Sequence, residues 1–200
     1  MDINSSDLDE ASAYKLLTGM VVPRPIAWVT TLSATGGVNL APFSAFTFVS
    51  NKPPMVGINV GRNAGVLKDT GNNILAGKEF VVHIANDALV EQVHQSSFEY
   101  EAHISEVTEL GLETVPGTRV RVPRLLIAPI SMECRLHRSI PFGDAGSEFM
   151  VGEVLCFHVN DELLRNGKVD SALLKPLCRL AGPKYARLGE ILDVTPVRAV

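Results

Sequence analysis

Between Pro25 and Asn51 the chain carries no charged residue, yet Thr30, Thr31, Ser33, Thr35, Asn39, Ser44, Thr47 and Ser50 recur through it, with turn formers at Gly36, Gly37 and Pro42. A membrane helix is excluded, because a span needs about 20 consecutive, predominantly apolar residues. A long uncharged segment rich in hydroxyls belongs inside a fold, where each hydroxyl must find a hydrogen bond from the protein or from a ligand. The local pattern is β. Pro23-Arg24-Pro25 holds the backbone extended and leads into a β-rich run over residues 26–32. A Ser33-Ala34-Thr35-Gly36-Gly37 turn follows, then a second run over residues 38–50. This reads as a hairpin whose second strand is bent where Pro42 interrupts the ladder.

Upstream, Asp7 and Glu10 have the spacing of a capping box, and residues 11–18 predict a short helix ending at Gly19. Downstream, after Asn51-Lys52-Pro53-Pro54, residues 55–60 and 79–85 predict two further strands separated by a polar connection over residues 62–73. Asn86 or Asp87 caps a helix over residues 88–95, residues 105–110 form a helical turn, and residues 111–123 read as a loop. Residues 125–140 and 148–159 predict a second, longer hairpin, and residues 161–200 are mixed. About six strands with helices at the periphery and no strand–helix alternation predict a mainly β fold: a closed or partly closed antiparallel barrel rather than a doubly wound sheet. No linker divides the chain, so a single domain over residues 1–200 is expected, with a barrel core near 20–160 and a C-terminal extension over 161–200.

Charge and cysteine content narrow the function. Eighteen Lys and Arg against 22 Asp and Glu give a net charge of −4, which argues against a nucleic-acid binder, since those carry a basic stripe. Cys134, Cys156 and Cys178 are few, odd in number and far apart, as suits reduced thiols in a cytoplasmic enzyme. The opening MDINSSDLDE is acidic and polar, which predicts a protein that is not exported.

Several chemistries can be set aside. The glycines of residues 71–78 lack the spacing of a phosphate loop, and Glu79 stands where its Ser or Thr should be. No G-x-G-x-x-G occurs, so a nicotinamide cofactor would not sit on a Rossmann unit. Cys134-x-x-His137 and Cys156-x-His158 have ligand-type residues, but a three-residue step on a strand sends side chains to opposite faces, and no metal site is expected. His83, His94 and His103 have no neighbouring nucleophile elbow, and Glu133, Glu148 and Glu153 are given no catalytic role.

What remains is the uncharged hairpin and its flanks: Arg24, the hydroxyls of Thr30, Thr31, Ser44, Thr47 and Ser50, and a polar set at Arg62, Lys68, Asp69, Thr70 and Asn73. A planar, largely apolar cofactor with one phosphate would use both halves, a dry wall with a few donors for the ring and cations with hydroxyls for the anion. A barrel core with Thr and Ser on its outer face accounts for the same residues by β-propensity alone.

The segment RPIAWVTTLSATGGVNLAPFSAFTFVSNKPPMVGINVG, residues 24–61, resembles the flavin reductase-like family of FMN-binding split barrels, which includes the reductase components of two-component flavin monooxygenases. The likeness continues through KDTGNNILAGKEFVVHIAN, APISMECRLHRSI and FMVGEVLCFHV to RLAGPKYARLG, and covers roughly residues 14–192. It implies an antiparallel, Greek-key-type split barrel with Ala41, Pro42, Phe43 and Ser44 along the isoalloxazine ring and Thr30 and Thr31 beside it. It further implies Ser50, Asn59, Gly61 and Arg62 near the ribityl chain and phosphate, with Lys68, Thr70 and Asn73 completing the anion site. The implied activity is an NAD(P)H-dependent reductase passing electrons through FMN to oxygen, free flavin or a partner monooxygenase. The family's habit of homodimerisation implies that Tyr185 reaches the partner's site. Two departures stand out: Gly143-Asp144 is followed by Ala145 where several relatives have a nicotinamide-receiving His, and a paired glycine is replaced by Ala181-Gly182. The first favours an alternative, a non-catalytic FMN-binding electron carrier or redox-sensing module. A flavin-free barrel serving as an interaction protein is the third reading.

Overall fold

In the computed structural model, which describes residues 1–101 and 104–195, the uncharged hairpin forms where expected. Strand β1 (Ala27–Leu32) pairs antiparallel with β2 (Val38–Phe43), from Ala27↔Phe43 to Leu32↔Val38. Its turn closes through Ser33 N–H to Gly37 O and Gly37 N–H to Ser33 Oγ, both at 2.9 Å, with Gly36 at φ +86°. That left-handed angle is one glycine adopts without strain.

The second run is two strands, not one bent strand. Chain direction changes at Ser44–Ala45, and β3 (Phe46–Asn51) pairs instead with β4 (Pro54–Val60). Pro42 does not interrupt a ladder. It lies on an edge strand two residues beyond Leu40, whose N–H points away from β1 to Glu106, so the N–H that Pro42 lacks falls on the open side.

Strands β5 (Glu79–Ile84), β6 (Ile130–Phe142) and β7 (Ser147–Val159) complete a seven-stranded antiparallel sheet in the order β2-β1-β5-β6-β7-β4-β3. Strands β2 and β3 occupy opposite edges yet are joined by Ser44 and Ala45 alone, so the sheet must curl until its edges nearly meet. Irregularities in β6 at Glu133/Cys134 and Leu136/Arg138 help bend the long hairpin. The expected antiparallel barrel is therefore present.

Alternation along the strands sorts the side chains. Ala27, Val29, Ile58, Phe80, Val82, Cys134 and Met150 fill the interior. Phe80 enters because residue 152 is glycine: a Cβ there would lie 2.3 Å from the ring. Trp28, Thr30, Val81, His83, Ser131 and Glu133 face outward yet are fully buried or nearly so, beneath the connection over residues 110–129 that leads into β6. Two polar residues hold that cover down. His83 contacts Trp28 O through Nδ1 at 2.8 Å and accepts the Leu125 N–H at Nε2 at 2.9 Å, which fixes its proton on Nδ1. Burial pushes its pKa down to about 4. Glu133, the second, accepts the N–H groups of Thr118, Arg119 and Val120 at 2.7, 2.5 and 3.0 Å and contacts His158 Nε2 at 2.6 Å. Burial alone would raise its pKa, but these bonds together hold it below the usual carboxylate value.

The helices depart from expectation in places. Helix α1 (Glu10–Met20) is capped by Asp9, whose carboxylate accepts the Ser12 N–H at 2.7 Å, rather than by Asp7. The polar connection over residues 62–73 contains a short ladder, Arg62–Asn63 with Val66–Leu67, and the start of helix α2 (Asp69–Gly77). Gly71 lets that helix press against the barrel, since a Cβ would lie 2.8 Å from the Leu67 side chain and 3.1 Å from Val60. Helices α3 (Val90–Gln95) and α4 (Glu106–Glu109) lie near their expected positions. Near the C-terminus, Cys178–Arg179 pairs with both Arg24–Pro25 and Tyr185–Ala186, which brings the last part of the chain against the Pro-Arg-Pro arm. His103 and the end of the expected C-terminal extension, residues 196–200, lie outside the described residues. Among the described residues no helix is long and apolar enough to cross a membrane.

Candidate functional site

Two hollows open on the outer side of β2 and the Ser44–Ala45 corner. The larger, about 350 Å³, is walled by Ala41, Pro42 and Phe43 of β2, by Lys68, Asp69 and Thr70 at the start of α2, and by the segment following α3 from Ser96 to Tyr100. The smaller, about 230 Å³, lies between the corner at Ser44, the Pro-Arg-Pro arm and the C-terminal turn. Pro42, Lys68 and Ser97 line both, so the two hollows adjoin.

The donors around these hollows follow from local chain geometry. At the corner, the Ser44 and Ala45 N–H groups have no backbone partner among the described residues, while Ala45 O accepts the Asn59 N–H at 2.9 Å. At α2, Lys68 is the N-cap and supplies no side-chain cap, and the Asp69 and Thr70 N–H groups are likewise without a partner among the described residues. The start of a helix concentrates such amides with the positive end of its dipole, which favours an anion. Thr70 is buried, and its hydroxyl accepts the Asn39 amide at 3.0 Å. At the floor, Glu106 accepts the Leu40 N–H at 2.8 Å. Burial raises its pKa; hydrogen bonds from the backbone oppose this and the charge of Asp69 adds to it.

Of the thirteen residues that the family resemblance places around the cofactor, Ala41, Pro42, Phe43, Ser44, Lys68 and Thr70 come together here, as do Arg24 and Asp69 from the wider polar set. Seven others line neither hollow. The Thr30 hydroxyl donates to Pro123 O at 2.8 Å on the barrel's outer face, and Thr31 accepts the Asn73 amide at 3.0 Å, tying α2 to β1. Ser50 sits on β3 with its Oγ accepting the Lys52 N–H at 3.2 Å, Asn59 supports the corner, and Gly61 O accepts the Lys68 N–H at 3.4 Å. Arg62 is turned to the hairpin tip: Nε donates to Gly146 O at 2.7 Å, and Nη2 lies 3.7 Å from Glu148. Tyr185 lies in the smaller hollow of its own chain.

Sequence reasoning missed Ser97, Phe98, Glu99 and Glu106. The segment over residues 96–100 is held by Trp28, whose indole N–H donates to Ser96 Oγ at 2.8 Å, and by Glu99, which accepts the Asn63 amide at 2.8 Å. Neither contact leaves a local signal in the sequence. Glu133, Cys156 and His158 do converge, with ligand-type atoms within 4.8 Å of one another. The Glu133 oxygens are already taken by three backbone N–H groups and the imidazole, so the cluster serves to clamp the cover.

Residues 19–177 match the flavin reductase-like domain family, and the chain belongs to it. The architecture is that of a split-barrel flavin reductase. The chain is 40% identical to the uncharacterized protein YwrF of Bacillus subtilis, over 93% of this chain and 94% of that one. In structure it is similar to nitrilotriacetate monooxygenase component B of Bacillus cereus, with a TM-score of 0.94 and 37% identity, over 97% of this chain and 98% of that one. It is also similar to the 2-nitrobenzoate 2-nitroreductase NbaA of Pseudomonas fluorescens, with a TM-score of 0.89 and 34% identity, over 98% and 95% of the two chains.

Proposed function

We propose that this protein is an FMN-dependent oxidoreductase, reduced by NAD(P)H and passing electrons to oxygen, free flavin or a partner protein such as a monooxygenase. The observation that carries the reading is the juxtaposition of a largely apolar wall, Ala41–Phe43, with an uncapped helix start at Lys68 in one hollow. FMN fits this donor set: its ring needs a dry wall and a few donors, its phosphate a cation and backbone amides. In this reading Ala41, Pro42 and Phe43 support the ring, and the Ser44 and Ala45 N–H groups face its polar edge. Lys68 and the Asp69 and Thr70 amides hold the phosphate. Bound FMN supplies the redox chemistry, and the protein supplies position and electrostatics. Thr30, Thr31, Ser50, Asn59, Gly61, Arg62 and Asn73 then act as supports of the surrounding chain. The similarity to a monooxygenase component B supports a reductase role.

The reading extends to a single-domain protein that works as a homodimer. Its support is the exposed apolar surface of α1 and β3, where Leu17, Met20 and Phe48 are 62%, 69% and 81% exposed.

A yellow preparation whose flavin is bleached by NADH or NADPH under anaerobic conditions is the expected result. Flavin that stays oxidised with both, yet is bleached by dithionite, would leave the second reading, a carrier or redox-sensing module. Ala145 favours that reading, because it puts no imidazole at the exposed tip of the β6–β7 hairpin. A colourless protein that takes up no added FMN would defeat both.

A further inference from the structure

In the short sheet beside the smaller hollow, Arg24 and Arg179 are direct cross-strand partners, and Tyr185 is the partner of Arg179 on the other side. Like charges placed opposite one another on neighbouring strands repel. Among the described residues neither arginine has a carboxylate partner. Arg24 is held entirely by neutral acceptors: Nε donates to Ser44 Oγ at 3.2 Å, Nη1 to the carbonyls of Thr18 and Val21 at 2.6 and 2.7 Å, and Nη2 to Leu180 O at 3.0 Å. Arg179 donates from Nη1 to the Tyr185 hydroxyl at 2.5 Å and lies 4.6 Å from that ring's centroid. The Tyr185 hydroxyl is itself 3.3 Å from His94 Nδ1. Both guanidinium groups are thus fixed in place while their charge is left uncompensated. Both line the smaller hollow with Lys68, and among the described residues no acidic one lines it.

We propose that this hollow binds the anionic group, phosphate or carboxylate, of the protein's second substrate, the electron donor or acceptor that approaches the flavin. The identity of the ligand as a second substrate rests on the flavin reading; the anion site itself rests on the paired arginines. A group with two or three oxygens suits the Arg179 guanidinium, engaged among the described residues by a single hydrogen bond to Tyr185, with Arg24, four of whose five N–H groups are already bonded, adding its charge alongside. The hollow shares Pro42, Lys68 and Ser97 with the larger one, so an anion seated here places the body of its molecule against the proposed flavin wall.

The test uses the full chain, freed of flavin, titrated with inorganic pyrophosphate and, separately, with benzoate, and binding is followed by calorimetry. Saturable binding of either probe is expected. Arg179→Gln should weaken it at least 10-fold and Tyr185→Phe by a smaller factor, while the exposed control Arg121→Gln leaves it unchanged. Preference for pyrophosphate would identify a dinucleotide as the source of the anion, and preference for benzoate a small organic acid. FMN affinity, measured on the same variants, should change less than 3-fold. The proposal is overturned if neither probe binds, if Arg179→Gln binds both as the wild type does, or if that variant loses FMN in the same proportion, which would make the hollow the seat of the cofactor's own phosphate. Because the probes are measured without flavin, failure of the FMN reading alone would leave probe binding intact.

Discussion

Glu133 and His158 meet at 2.6 Å on the outer face of the barrel, one on β6 and the other on β7, with the carboxylate fully buried and the imidazole at its rim. The same carboxylate gathers three successive N–H groups, Thr118 to Val120, and so pins the cover that buries Val81, Val120 and Val122. Glu133→Ala should lower stability by about 3 to 5 kcal/mol, because buried amides lose their acceptor and an imidazole its partner. Denaturant unfolding at neutral pH checks this, and an unmoved midpoint would refute the clamp. The folded carboxylate titrates below its unfolded value, so this contribution is present above roughly pH 4.3 and is lost as pH falls further.

His83 gives a second, separable pH dependence. Its folded pKa of about 4 lies below the unfolded value near 6.5, so the unfolded chain binds the extra proton between the two. Stability is therefore full above about pH 6.5 and falls by about 3 kcal/mol toward pH 4. In His83→Gln, whose amide can both donate and accept but does not titrate, the slope of stability against pH across that window should flatten. Parallel curves for variant and wild type would count against it.

The anion end of the flavin reading separates Lys68 from Arg62. Lys68→Ala should weaken FMN binding by about 1.5 to 3 kcal/mol, the range for a hydrogen bond to a charged group. Arg62→Ala should cost less, since its guanidinium is engaged with Gly146 O and Gly65 O. Calorimetric titration of both variants decides, and a larger loss at Arg62 would move the phosphate toward the β6–β7 tip.

Self-association is expected through β3 and α1. Phe48 and Val49 are 81% and 43% exposed on an edge strand, an arrangement that invites a partner. Light scattering should give a dimer for the wild type and a monomer for Phe48→Asp. A wild-type monomer, or a variant that stays dimeric, would exclude this face.

The hairpin of β1 and β2 was legible because its turn chemistry and β-branched runs are local, and so was the long β6–β7 hairpin. That β2 and β3 lie on opposite edges was not, since β-prone residues continue on both sides of Ser44 and the pattern cannot say which neighbour a strand will choose. Helix α2 was missed for a related reason. Gly71, Asn72 and Asn73 have poor helix propensity, and the close approach to Leu67 and Val60 that calls for glycine exists only in three dimensions. At the candidate site, the Ala41–Ser44 wall and Lys68 could be named from the chain. The fate of each hydroxyl could not: Thr30 and Thr31 are neighbours in sequence but face opposite sides of β1, and both are bonded within the protein.

The passage from one rim of the sheet to the other through Ser44 and Ala45 makes that dipeptide a seam. A circular permutant opened at the β6–β7 tip would keep the rims stitched together, whereas one opened after Ser44 would let them drift apart with every strand still intact. Length variation in descendants of this chain should accordingly accumulate at hairpin tips and stop short of the seam.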